Sequence, residues 1–234
     1  MKTFLLVALG IFTLASSVRA ASSQLADWTF ETNPPTTAGP YAADSGSGNA
    51  SASHASSSTS YTNPQGNGSN ESYSADHWVI GDYFQFQTSS LGYNNIDLSF
   101  DQLSSATGPL NFEVLYSTDN ITYLATGDTY TVNNSSVSAD NWTSTPKSVD
   151  HYDFDLTSIS ALNNAATIYF RLQDTSTTSA SGFTVGTAGT DRVDNVIIAA
   201  DALPAAPVPD ALWASLALLP LVTLRKFLSA RMPA

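Results

Sequence analysis

Few residues in this chain suit covalent or metal chemistry, and their spacing narrows the options further. There is no cysteine, which excludes thiolate metal sites and disulfides. The histidines are His54, His77 and His151. None forms a spaced pair such as His-x-x-x-His, which argues against a histidine zinc centre. His54 lies in a Ser-rich stretch, and His151, between Asp150 and Asp153, reads as a surface residue. No Gly-x-Ser-x-Gly elbow or Gly-x-Gly-x-x-Gly loop occurs, so neither an α/β-hydrolase nucleophile nor a dinucleotide cradle is encoded.

Carboxylates are plentiful, and their oxygens suit a hard cation such as calcium. Glu31 follows an early strand and Asp194 enters the last one. If those strands are neighbours, the two carboxylates would bracket one calcium ion together with backbone carbonyls. Asp191 is a weaker addition, and Asp194-Asn195 reads equally as a turn or bulge on the last strand. Asp153 and Asp155 alternate with Phe154; with Asp150 they read as a solvated acidic face. A glycosidase needs two carboxylates about 5–9.5 Å apart, a separation that sequence spacing does not reveal, and no catalysis is expected. Sugar binding would instead use aromatic rings with amide or acid neighbours. Trp78, Tyr93, Tyr123, Tyr130, Trp142 and Tyr152 are the available rings, and Trp142, set among Asp140, Asn141, Thr143 and Ser144, is the ring chosen for ligand stacking. Packing of Trp142 against a sheet edge is the competing reading, and Trp28 and Trp78 read as core.

Charge limits the partners. The 234 residues hold 8 Lys+Arg and 20 Asp+Glu, a formal net charge of −12. Lys2, Arg19, Arg225, Lys226 and Arg231 lie near the termini, leaving only Lys147, Arg171 and Arg192 against 19 acids in residues 21–206. That stretch carries −16. Such a surface repels polyanions, so nucleic acid is not an expected partner.

The ends read as addresses. Lys2, the apolar run Phe4–Ala15 and the small residues around Ala20 predict a secretory signal peptide over residues 1–20. At the other end Pro204, Pro207 and Pro209 form a linker over 204–210, Ala211 to Leu224 is apolar and charge-free, and Arg225, Lys226 and Arg231 follow. Apolar helix followed by cations is a stop-transfer order that holds a segment in the cytoplasmic membrane.

That tail resembles the PEP-CTERM sorting signal of Gram-negative bacteria, with Val208-Pro209-Asp210 in the motif position and Arg225 and Lys226 in the basic end; the family's Pro-Glu-Pro stands here as Pro209-Asp210-Ala211. The resemblance implies an exosortase-like sorting enzyme as partner, a membrane-held precursor, and a place at the cell surface or in the extracellular matrix, in company with extracellular polysaccharide. A plain membrane anchor would use the same features.

Between the addresses the hydrophobic period is two. Phe84/Phe86, Ile96/Leu98/Phe100, Phe112/Val114/Tyr116 and Ile168/Phe170/Leu172 alternate with polar residues, as half-buried strands do. Trp28–Glu31 reads as the first strand and 192–199 as the last. Thr107-Gly108-Pro109, Ser117–Asn120, Thr126-Gly127-Asp128 and Gly186–Gly189 read as breaks, a helical turn is expected near Ser158–Asn163, and the Ser/Gly/Asn/Ala stretch 42–74 reads as a long loop. The expected fold is all-β, a jelly-roll-like antiparallel β-sandwich over 21–203, flanked by an N-terminal signal helix and a C-terminal hydrophobic helix over 211–234. Residues 105–119, 166–172 and 189–196 resemble jelly-roll domains of exported bacterial proteins that carry such tails, similar in shape to carbohydrate-binding modules. Three readings follow: first a structural or interaction protein, then a carbohydrate-binding module with calcium as a structural ion, and last a glycoside hydrolase on the same scaffold.

Overall fold

A computed structural model describes residues 22–137 and 141–204. The signal peptide, the linker beyond Pro204 and the sorting residues Val208, Pro209, Asp210, Arg225 and Lys226 lie outside the described residues, as do both expected flanking helices.

The alternating runs become strands, and the strands form two sheets. One is an eight-stranded sheet of β1 (Ser22–Trp28), β3 (Ser45–Gly46), β5 (Tyr61–Thr62), β6 (Tyr73–Ala75), β8 (Tyr93–Ser104), β11 (Asn133–Asn134), β12 (His151–Asp155) and β14 (Asp191–Ala202). The other is a six-stranded sheet in the order β10 (Leu124–Thr131), β9 (Asn111–Ser117), β13 (Ile168–Asp174), β7 (Tyr83–Thr88), β4 (Asn49–Ser53), β2 (Tyr41–Ala42). Pairing is antiparallel except for the two-residue contact of β11 with β8. The chain changes sheet at most connections, so strands that neighbour in sequence face each other across the core. The first and last strands pair as expected, with Trp28 opposite Val196.

Inward residues of both sheets fill one core. Ile96, Leu98, Phe100, Val196 and Ile198 come from the large sheet; Phe84, Phe86, Phe112, Val114, Ile168, Phe170 and Leu172 come from the small one. Trp28 meets Phe86 at 5.3 Å between ring centroids, and Trp78 packs on Phe84 and Phe112. The expected helical turn is a 3₁₀ turn at Ser160–Leu162.

Three local expectations are corrected. The stretch 42–74 is not one long loop but holds β3, β4 and β5 and leads into β6. Its small side chains suit their neighbours: Ala50 and Ala52 alternate inward on β4, and a Cβ on Gly48 would lie 2.8 Å from the Trp28 ring. The first strand ends at Trp28 rather than beginning there, because Phe30 turns to φ 58°. Thr126-Gly127-Asp128 is not a break but a bulge inside β10, where the pairing with β9 slips between Ala125 and Thr129 and Gly127 sits at φ 99°. Three residues, Thr126, Gly127 and Asp128, thus stand against Val114 alone, and the left-handed glycine lets the strand take up the two extra residues.

Candidate functional site

Period two gives the six-stranded sheet a second, outward face. On β7 the outward residues are Tyr83, Gln85 and Gln87; on β13 they are Tyr169, Arg171 and Gln173, all half-buried. Register sets Tyr83 beside Gln173, Gln85 beside Arg171, and Gln87 beside Tyr169. β9 adds Glu113 next to Gln173 and Leu115 next to Arg171.

Arg171 is the centre of this face. Its guanidinium carbon lies 3.8 Å from the Tyr83 ring centroid and 3.4 Å from that of Tyr123, so both flat faces are covered by aromatic rings. Its Nε donates to Gln85 Oε1 at 2.9 Å. The Tyr123 hydroxyl donates to the same oxygen at 2.7 Å. Gln173 Nε2 donates to Glu113 Oε1 at 3.2 Å. A planar cation held this way presents its Nη edge in a fixed direction. Burial pushes the Tyr123 phenol up to about 12, despite the nearby Arg171 charge, so it stays a neutral donor.

Tyr123 is placed by the turn between β9 and β10. Asp119 Oδ1 accepts the backbone N–H groups of Ile121 and Thr122 at 2.8 Å each, and Asn120 takes φ 60°. Those bonds hold the Asp119 carboxyl low, at about 2. The Ser117–Asn120 break in the sequence is therefore what folds Tyr123 back over the sheet. The result is a flat face of tyrosine rings, side-chain amides and one rigid guanidinium. Such groups bond hydroxyls and cover the apolar faces of a sugar ring.

The residues singled out in the sequence lie elsewhere. Trp142 is 2% exposed, so it is not an open stacking surface. Its Nε1 donates to the buried Asp150 Oδ2 at 2.9 Å, and Arg192 lies 4.7 Å over its ring. The acidic face expected at 150–155 is correct for Asp153 and Asp155 but not for Asp150, which is fully buried. His151 is partly exposed, as expected, and bonds Asp101 Oδ1 at 2.7 Å through Nδ1. Burial opposes its charged form, but the hydrogen bond and charge of Asp101 outweigh it and raise its pKa.

Glu31 and Asp194 do reach one loop, from two sides, but with their oxygens occupied by N–H and O–H donors. Glu31 Oε1 accepts Asn70 N at 2.8 Å and Glu71 N at 2.7 Å. Asp194 is fully buried and accepts Asn67 N at 2.8 Å, Ser69 Oγ at 2.7 Å and Asn195 N at 2.8 Å. These carboxylates clamp residues 67–71. Burial pushes the Asp194 carboxyl up to about 7, because loss of water outweighs its three donors. Asn67 completes the knot, donating from Nδ2 to Asp101 Oδ2 and to Lys147 O. Among the described residues no group of three or more His, Cys, Asp or Glu side chains is arranged to hold a metal ion.

Of the six candidate rings only Tyr123 joins the outward face. Tyr130 and Tyr152 pack around Phe100, and Trp78 is 3% exposed. Tyr83, Gln85, Tyr169 and Arg171 were not singled out. Their signal was present as the polar positions of the two strongest alternating runs, Tyr83-Phe84-Gln85-Phe86-Gln87 and Ile168-Tyr169-Phe170-Arg171-Leu172.

No family model matches the chain, and no curated protein matches it in sequence. Solved structures that align with it include the K2 cleaved adhesin domain of Lys-gingipain, at 11% identity and a TM-score of 0.43 over 76% of this chain and 99% of that one. A second is the CBM22-1 xylan-binding domain of Paenibacillus barcinonensis Xyn10C, at 11% identity and 0.41 over 80% and 100%. A third is TmCBM61, solved with β-1,4-galactotriose, at 8% identity and 0.37 over 73% and 92%. Likenesses this distant transfer neither a ligand nor an activity to this chain.

Proposed function

We propose that this chain is an exported, non-catalytic cell-surface or matrix protein whose β-sandwich binds polysaccharide on the outward face of its six-stranded sheet. The observation that carries this reading is Arg171 held between Tyr83 and Tyr123 with Gln85 bonded to two of the three. Rigid rings and pre-bonded amides lose little freedom when a ligand docks, which is where binding energy is otherwise lost. Export and sorting are part of the same proposal and rest on the composition of residues 1–20 and 204–234: a cleaved signal peptide, then a tail handled by an exosortase-like enzyme at the cytoplasmic membrane.

Affinity electrophoresis and a glycan array with the full chain test the binding reading. Tyr123→Ala and Arg171→Ala are expected to weaken retention by roughly tenfold or more each, as for anchor residues of other interfaces. Unchanged retention in both variants, with melting temperature preserved, refutes this face as the binding surface. Mass spectrometry of the mature protein checks the addresses: a first residue near Ala21 and a C-terminus short of Arg225 are expected.

A further inference from the structure

The two arginines of the sandwich have different surroundings. Arg192 Nη1 donates to Gln65 O at 2.9 Å and Nη2 to Asn141 Oδ1 at 3.2 Å, and the charges of Asp191, Asp150 and Asp194 act on it. Arg171 donates from Nε to Gln85 Oε1 at 2.9 Å, but among the described residues neither Nη donates to a carbonyl or a carboxylate, and no acid forms an ion pair with it. Residues 21–206 hold 19 acids and three cations, so a guanidinium without an acid partner is the exception here. The nearest acid by register is Glu113, diagonal to Arg171 across the Leu115 pair and about 7–8 Å away between Cα atoms. Its Oε1 is taken by Gln173 Nε2 at 3.2 Å.

Tyr83 and Tyr123 cover both flat faces of the Arg171 guanidinium, which leaves its Nη edge as the side a ligand can meet. Two parallel N–H groups on such an edge match the two oxygens of a carboxylate in spacing and in charge. A hydroxyl offers one oxygen and no charge. Tyr169 stands two residues before Arg171 on β13, on the same outward face and about 7 Å along the strand. Register puts Gln87 on one side of it and Ser117 on the other. The ring contacts of this face are those of Arg171 with Tyr83 and Tyr123, so among the described residues Tyr169 packs on no other aromatic ring.

We propose that this face selects a largely neutral glycan carrying isolated uronic acid residues. The Nη edge of Arg171 takes the carboxylate in two parallel hydrogen bonds, and the Tyr169 ring covers an apolar face of the sugar beside it. The inference rests on the polysaccharide-binding reading above and narrows its substrate class. The carboxylate must be isolated, because residues 21–206 carry −16 and Glu113, one diagonal step from Arg171, repels a second acid. At physiological ionic strength charges are screened over about 8 Å. The wider negative surface therefore weighs on a polyuronate stretched across it, whereas a single carboxylate at Arg171 meets chiefly the guanidinium.

The test is a glycan array of oligosaccharides bearing one glucuronic, galacturonic or mannuronic acid, each printed beside the same compound with its carboxyl reduced to the alcohol. The full chain is expected to bind acidic members roughly tenfold to a hundredfold more tightly than their reduced partners, the scale of hydrogen bonds to a charged group, with the ratio falling as salt rises. Arg171→Gln should bring the ratio to about one. Tyr169→Ala should weaken both partners by the same factor; an effect confined to one of them refutes its stacking role. Contiguous polyuronates should bind more weakly than singly acidic members, and tighter binding overturns the isolated-carboxylate inference. Equal binding of acidic and reduced partners, or a preference that survives Arg171→Gln, overturns the inference and leaves the polysaccharide reading standing. Binding to no member refutes that reading and this inference with it. Should Arg171→Gln bind neither partner, nitrogen-15 NMR of the wild-type chain decides. Shifted, separately resolved Arg171 Nη–H signals with an acidic member and not with its reduced partner support the contact, and the same response to both refutes it.

Discussion

Asn67→Ala tests whether the 67–71 loop is held by the side-chain knot beneath it. The substitution removes three hydrogen bonds: Nδ2 to Asp101 Oδ2 at 3.0 Å, Nδ2 to Lys147 O at 3.0 Å, and Lys147 N to Oδ1 at 2.6 Å. A bond to a charged group contributes about 1.5–3 kcal/mol and a neutral one about 0.5–1.5 kcal/mol, so the gross loss is about 2.5–6 kcal/mol. Two features reduce it. Asp101 Oδ2 still accepts Asn195 Nδ2 at 2.8 Å, and Lys147 is only half-buried, so its amide can reach water. The backbone of residue 67 keeps its bonds to Asp194 and Asn195. A cost of about 3 kcal/mol remains. A domain stable by about 5–15 kcal/mol stays folded with that loss, and at a slope of about 2–3 kcal/mol per molar its urea midpoint falls by about 1 M. Urea unfolding followed by tryptophan fluorescence measures this. A midpoint shift equivalent to less than about 1 kcal/mol, with the slope unchanged, would show that Asn67 is ornamental and the loop is held by other contacts.

Other substitutions read out the same corner. Asp194 is protonated in the folded chain up to pH about 7 but loses its proton near 3.8 when unfolded. Its contribution is therefore fully present at low pH and is lost as pH rises from about 4 to about 7, by at most about 4 kcal/mol. Asp194→Asn should flatten that fall in a pH series of melts; an identical slope in both proteins would contradict the burial argument. Trp142→Phe removes the indole donor from Asp150 and should cost about 1.5–3 kcal/mol in the same unfolding assay. It should leave polysaccharide retention intact, because the ring is buried; lost retention at preserved stability would restore Trp142 as a contact residue.

How much could be read beforehand depended on the size of the side chains. Phe84, Phe86, Leu98, Phe100, Phe170 and Leu172 declare their strands by alternation, and all six are buried. β4 uses the same alternation, Asn49-Ala50-Ser51-Ala52-Ser53, but with alanines, which look like low-complexity sequence. Only the Trp28 indole lying over Gly48 shows why that stretch must be small. Trp142 looked exposed because its sequence neighbours are polar; a buried acid eight residues away, Asp150, is what its N–H required. The pairing of the first and last strands followed from fold expectation, and it brings Glu31 and Asp194 to one loop, where Asn70 N and Glu71 N bond Glu31 and Asn67 N and Ser69 Oγ bond Asp194.

By itself the sequence determined two things: which residues of each strand face inward, because solvent and core select side chains in alternation, and the strongly acidic character of the segment between the two termini, because charge is a sum that folding does not change. Tertiary structure alone decided which outward residues meet. Tyr83, Arg171 and Tyr123 lie far apart in the chain, and strand register plus one Asp119-bonded turn stacks them within 4 Å. Such cross-strand contact depends on pairing geometry that no local pattern encodes.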